Sequence, residues 1–241
     1  MDTGLKFLPL GVKLESDELS HLETIQESLS RLTNRRQTIL HCTFYEPISS
    51  TAIMYCGAVL YRVVAAAQGV IINWNAGNML CSFLAARALL ETFALFWDCH
   101  RVIKKGVESG DLNAIAGKTI RLAFGTRDGK LLEELSELSA LSESATNILT
   151  FVNKLDRGSE EPTFRWLYDK MSERCHPNLH GTLLMYGEVD KMEKVTYSDR
   201  YNAASNFRLL VTTFGLVEGV ELMLDQLDEW IEDVDGLERM M

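Results

Sequence analysis

Residues 63–86 carry no charged side chain, and this stretch most narrows what the chain can become. An apolar run of that length either crosses a bilayer or lies inside a protein core. Gln68, Asn73, Asn75, Gly77 and Asn78 interrupt it, and Arg62 and Arg87 bracket it closely. The segment 73–78, Asn-Trp-Asn-Ala-Gly-Asn, has the composition of a tight turn. The pattern therefore predicts two buried helices joined by a short connection, at about 47–73 and 76–105, and no membrane span.

The second of these helices holds a polar stripe. Arg87 and Glu91 are four apart and share a face, and Asp98 and Arg101 fall within about 40° of the same line. Leu80, Phe83, Leu84, Ala94 and Leu95 lie on that side too, while Leu89, Leu90, Phe93 and Phe96 cover the other. A helix apolar on all sides is a buried helix, and charges inside it need partners. Two readings stay open: a structural Arg87–Glu91 pair that sets helix register, or a site completed by another helix.

The remaining segments also read as helices. Ser16, Asp17 and Glu18 open one that runs to about residue 42, with Leu19, Leu22, Ile25, Leu29 and Leu32 as its apolar stripe. Further helices are expected over 111–124, 130–155, from Pro162 to His176, and 199–233. His176 should end its helix because Pro177 disfavours the α conformation of the residue before it. Residues 183–186 and 195–197 flank a charged middle and could pair as a small β-hairpin. The expected fold class is thus mainly α, a helical bundle with a long N-terminal helix and a possible small hairpin near 183–197. Residues 1–45 form an N-terminal helical extension in this reading, and 46–241 one helical domain.

Composition narrows the function classes. The formal net charge of -10 disfavours a general nucleic-acid coat protein while allowing a local basic patch. Two such patches are Arg31, Arg35 and Arg36, and Lys118, Arg121, Arg127 and Lys130; solvated helix faces account for both. The five cysteines form no C-x-x-C pair and lie mostly in apolar runs, as expected in a reducing cytoplasm. Residues 1–12 lack the charge pattern of a signal peptide. Gly215 and Gly219, four apart, permit close helix packing within the chain or at a dimer interface.

The most informative phrase is residues 168–181. Tyr168, Ser172, Glu173, Arg174, His176, Asn178 and His180 crowd a helix end and a Pro-fixed turn, where backbone geometry can hold polar side chains in place. Together with the Arg87-x-x-x-Glu91 step and the helix order, the phrase Tyr168-x-x-Met171-Ser172-Glu173-x-x-His176-Pro177-Asn178 resembles bacterial HEPN-like proteins of unassigned function. Met171 stands where that family pattern has Leu.

The resemblance implies an all-α fold, a homodimer, and a metal-independent endoribonuclease or RNA-binding effector of the toxin or defence type. It implies no cofactor and no metal. Arg174 and His180 match an Arg-x(5)-His motif, although Cys175 follows the Arg where a polar residue is usual. Arg174 and His176 also lie about 160° apart on a helix. A mixed site is therefore equally open, in which Arg87 and Glu91 meet His176 and Asn178, supported by Tyr168 and Ser172. The alternative function is a non-catalytic interaction or small-ligand-binding protein, its protein partner unknown, with Arg87, Glu91 and His176 as a structural network. Glu18-x-x-His21 and Glu173-x-x-His176 repeat the Glu-x-x-His step of di-metal bundles, but such sites need two further Glu on facing helices.

Overall fold

The structure, a computed structural model, describes residues 5–36, 48–138, 145–199 and 202–238. In chain order its elements are α1 (Ser16–Arg35), α2 (Ile48–Asn75), α3 (Met79–Ser109), α4 (Leu112–Phe124), α5 (Gly129–Leu138), α6 (Ile148–Leu155), α7 (Thr163–Cys175) and α8 (Leu179–Tyr186). These are followed by β1 (Gly187–Val189), β2 (Val195–Tyr197), α9 (Ala203–Phe214) and α10 (Leu216–Glu238). The mainly α bundle with one small hairpin, expected from the sequence, is the observed architecture.

The chain divides into two compact units. The first comprises residues up to Arg35, Arg62–Phe93 and Asp156–Gly219; the second comprises Arg36–Tyr61, Ala94–Leu155 and the chain from Val220 onward. Three long helices, α2, α3 and α10, therefore contribute to both.

In the first unit the N-terminal residues are part of the core. Phe7 is buried, its ring 4.8 Å from Phe207, 5.5 Å from Phe214 and 6.3 Å from Trp74. The irregular stretch around it is tied down by polar contacts. The Phe7 amide donates to Gln26 Oε1 (2.7 Å), the Leu8 amide to Asn75 Oδ1 (3.1 Å), and Trp74 Nε1 to the Leu8 carbonyl (2.8 Å). α2 and α3 meet closely. A Cβ on Gly69 would lie 3.2 Å from that of Ala85, and Ser82 Oγ donates to the Val70 carbonyl at 2.8 Å. The turn between them has Gly77 at φ +77°, a left-handed angle that suits glycine, and Asn78 caps α3 by accepting from the Cys81 amide.

In the second unit Phe96, Cys99, Ile103, Ile115, Val152 and Leu227 are fully buried. His100 Nε2 lies 2.7 Å from Gln226 Oε1, and its ring is 4.7 Å from that of Trp230. Burial lowers the His100 pKa, partly offset by the Gln226 contact.

Four expected boundaries are corrected. α3 does not end at about residue 105 but runs to Ser109, and Gly110 at φ +69° closes it. Gly106 serves packing instead: a Cβ there would fall 2.4 Å from Ile115 Cγ1. The single helix expected over 130–155 is two, α5 and α6, and residues 145–147 before α6 are non-helical. The last helix divides at Gly215 into α9 and α10. The hairpin forms, but its first strand is 187–189, paired Gly187↔Tyr197 and Val189↔Val195, because 179–186 continue as helix α8. The expected start of the second helix at residue 47, Cys42 among the five cysteines, and residues 139–144 of the expected helix 130–155 lie outside the described residues. α2 and α3 are each long and apolar enough to cross a membrane, and 50% and 56% of their most apolar windows are buried within the protein.

Candidate functional site

In the first unit Arg87 and Glu91 of α3 meet Tyr168 of α7, and α7 leads through the turn at Pro177 into α8. α7 starts at Pro162, and the Asp156 carboxylate accepts from the Phe164 and Arg165 amides (2.9 and 2.7 Å), meeting the free donors of its first turn. It stops at His176, whose backbone is extended (φ -75°, ψ 135°) ahead of Pro177, as the proline rule requires. Asn178 then caps α8: its Oδ1 accepts from the Gly181 amide at 2.6 Å, and its Nδ2 donates to Glu173 Oε1 at 3.0 Å. Gly181 is confined, since a Cβ there would lie 2.2 Å from the Glu173 carbonyl oxygen.

Arg87 is the hub on α3. Its Nε donates to Glu91 Oε1 (3.0 Å), one Nη donates to Tyr168 Oη (2.9 Å), and its guanidinium carbon sits 5.2 Å from the centre of the Tyr168 ring. Tyr168 is buried, while the Arg87 and Glu91 side chains keep about a third and a quarter of their exposure. Desolvation works against the Arg87 charge, yet the Glu91 and Tyr168 contacts outweigh it and raise its pKa. The Arg87 and Glu91 charges act on the Cys175 thiol in opposite directions. Burial is the larger influence there and pushes that thiol up, which makes Cys175 a poor nucleophile.

Arg174 takes a different position from its expected role. It is buried, its Nε donates to Asn206 Oδ1 (2.8 Å), and one Nη donates to the Lys170 carbonyl (3.2 Å). Its guanidinium stacks 5.2 Å from the Phe83 ring centre. Leu167, Met171 and Arg174 share the buried side of α7, so the Arg stem completes the apolar face and carries its head inward. Burial alone lowers its pKa. Arg174 is thus held inside, whereas His180 stands exposed on α8.

His176 and His180 are both exposed, and neither imidazole has a hydrogen-bond partner among the described residues. His176 is therefore outside the Arg87–Glu91–Tyr168 network. Ser172 Oγ, one turn before His176, is the one fully buried side-chain polar atom without a partner among the described residues. The site as built is a neutralised Arg–Glu pair on a buried tyrosine, an unsatisfied hydroxyl, and two free imidazoles on a Pro-fixed corner.

No family model, curated protein or solved structure matches this chain.

Among the described residues no group of three or more His, Cys, Asp or Glu side chains converges as a metal-binding set. The two Glu-x-x-His steps are spent elsewhere: Glu18 pairs with Arg208 (2.7 Å), Glu173 accepts from Asn178, and His21 lies 4.0 Å from Glu218. Asn178, expected as a site residue, caps α8, a role that sequence reasoning missed; the signal that could have found it is Asn directly before the apolar run that starts at Leu179. The partners of Arg174 had no local signal, because Asn206 is 32 residues away.

Proposed function

We propose that this chain is a cytoplasmic, HEPN-like RNA-binding protein that cleaves RNA without a metal ion, as a homodimer and as a toxin or defence effector. The observation that carries the reading is the pair of exposed, unengaged imidazoles of His176 and His180 at a corner held by Pro177 and the Asn178 cap. Imidazole exchanges protons near neutral pH, so two of them suffice for acid–base cleavage of a phosphodiester. One takes the proton of a ribose 2′-hydroxyl as its oxygen attacks the adjacent phosphorus. The other gives a proton to the departing 5′-oxygen, leaving a 2′,3′-cyclic phosphate. Arg87, whose side chain keeps about a third of its exposure, is the candidate for stabilising the charged transition state, because Arg174 is buried on Asn206 and Phe83.

The test is cleavage of a labelled RNA by the full chain in EDTA, beside His176→Ala and His180→Ala. Loss of a general acid or base should reduce the rate by about 10²–10⁴-fold. Because both side chains are exposed, the variants should melt close to the parent. Absence of cleavage, or cleavage untouched by either substitution, refutes the reading.

A second reading has its own observation: Arg174, Asn178, Tyr168 and Glu91 are all engaged in internal contacts. That favours a non-catalytic interaction protein in which Arg87, Glu91 and Tyr168 hold α3 to α7. In that case Arg87→Ala lowers the melting temperature, and His176→Ala changes nothing measurable.

A further inference from the structure

The second unit contains a charge cluster unconnected with the imidazole corner. Asp98 of α3 is buried, its side chain 1% exposed. Lys118 of α4 donates to its Oδ2 in a very close contact, Lys154 of α6 lies 3.0 and 3.1 Å from the two oxygens, and Arg101 lies 3.2 Å from Oδ1. Desolvation opposes the Asp98 charge, but the lysine and arginine contacts outweigh it and hold the carboxyl below its ordinary range. The group is thus an ionised carboxylate under three cations, a local charge of +2 in a chain whose net charge is -10.

That excess is more than Asp98 needs. Both of its oxygens are fully engaged, while an ammonium has three donors and a guanidinium five. Among the described residues, no second carboxylate pairs with Lys118, Lys154 or Arg101. What lies under the cations is aromatic: the Lys118 and Lys154 ammoniums sit 4.8 and 5.3 Å from the Phe151 ring centre, and Arg101 lies 5.8 Å from that of Trp97. A ring face attracts a cation but accepts little of its hydrogen-bonding capacity. Lys118 is nearly closed off, with 13% of its side chain exposed, whereas Lys154 at 28% and Arg101 at 49% form an open side. Like charges gathered at a partly desolvated place, with donors unspent, call for an anion from outside.

We infer that Lys118, Lys154 and Arg101, gathered on Asp98, form a binding site for the phosphate group of a small ligand. A phosphate monoester carries about −1.5 to −2 charges and three acceptor oxygens, which matches both the charge excess and the number of cations. The arginine fork adds geometric preference for phosphate. Asp98 acts as the anchor that draws the two lysines to one point. This inference is independent of the ribonuclease reading, which concerns other residues.

The experiment is calorimetric titration of the full chain, in phosphate-free buffer, with inorganic phosphate, with adenosine 5′-monophosphate, and with acetate as a control. Saturable binding of a phosphate compound is expected, with acetate weaker by about tenfold or more. The Lys154→Gln/Arg101→Gln double variant should lose about tenfold or more in affinity while melting near the parent. Tighter binding of the nucleotide supports a phosphate monoester ligand, and equal binding supports free phosphate. Absence of saturable binding for both compounds, or unchanged affinity in the double variant, overturns the inference. Should the double variant melt far below the parent, Arg101→Gln alone carries the test, with the same two outcomes.

Discussion

Replacing Asp98 with Asn removes one charge and almost no volume, so its effect isolates the electrostatics of the buried cluster. Three cations rely on this carboxylate, but not equally. Arg101 and Lys154, at 49% and 28% side-chain exposure, can turn toward water, whereas Lys118, at 13%, cannot follow without leaving Phe151. The dominant cost is therefore one buried ammonium stripped of its counter-charge. Removing one partner of a buried pair costs about 3–5 kcal/mol. The Asn carbonyl still accepts a hydrogen bond, so the low end, about 3 kcal/mol, applies here. For a chain of this size that corresponds to a fall of about 6–12 °C in melting temperature. The assay is thermal and urea unfolding near pH 7 in phosphate-free buffer. The pH dependence provides an internal check. A carboxyl whose folded pKa is depressed stabilises the fold above its unfolded pKa, and that stability is lost as pH falls through the folded value. The gap between parent and variant should thus narrow below about pH 4. Adding Lys118→Met to Asp98→Asn removes the stranded charge and should recover part of the loss. A single variant that melts within about 2 °C of the parent, or a double variant worse than the sum of its parts, would refute the reasoning.

Other outcomes follow from the same contacts. Asn178→Ala deletes the α8 cap and should cost about 1 kcal/mol, read as a shift in urea midpoint without a change in slope. Gly181→Ala places a methyl 2.2 Å from a backbone oxygen of α7, so it should cost more than the cap deletion and reduce any activity that depends on His180. Arg174→Met keeps the stem against Phe83 and removes a buried cation that has no carboxylate partner among the described residues; it should stay within about 1 kcal/mol of the parent. Arg174→Ala, which leaves a cavity, should lose about 2–4 kcal/mol. RNA cleavage that disappears in Arg174→Met while stability holds would show that the buried guanidinium reaches the substrate after all.

Much of the helical layout was legible because its signals are local. The turn before α3, expected over 73–78 and found at 76–78, the stop at His176 and the i,i+4 pairing of Arg87 with Glu91 each depend on residues within one or two turns. The errors have local causes too. Gly106, just past the expected helix end at about residue 105, sits inside α3 under Ile115, and Gly215, expected to serve packing, interrupts a helix. A glycine's role depends on what packs against it, which composition does not state. Leu183–Tyr186 resembled a strand by β-propensity, but the Asn178 cap starts a helix that carries through them.

For the candidate site, the sequence by itself determined which residues crowd the corner and that Pro177 would end α7, since both are matters of chain order and backbone sterics. It also required partners for Arg87 and Asp98, because charges in an all-apolar helix cannot stand alone. Only the tertiary structure decided who those partners are: Tyr168 for Arg87, 81 residues away, and Lys118 and Lys154 for Asp98, 20 and 56 residues away. It also turned Arg174 inward to Asn206 and left His176 and His180 facing water. The reason is physical. Helical phase says which side of a helix a residue takes, but the identity of the opposing surface, and hence whether a side chain meets a ring, an amide or solvent, is set by packing between segments distant in the chain.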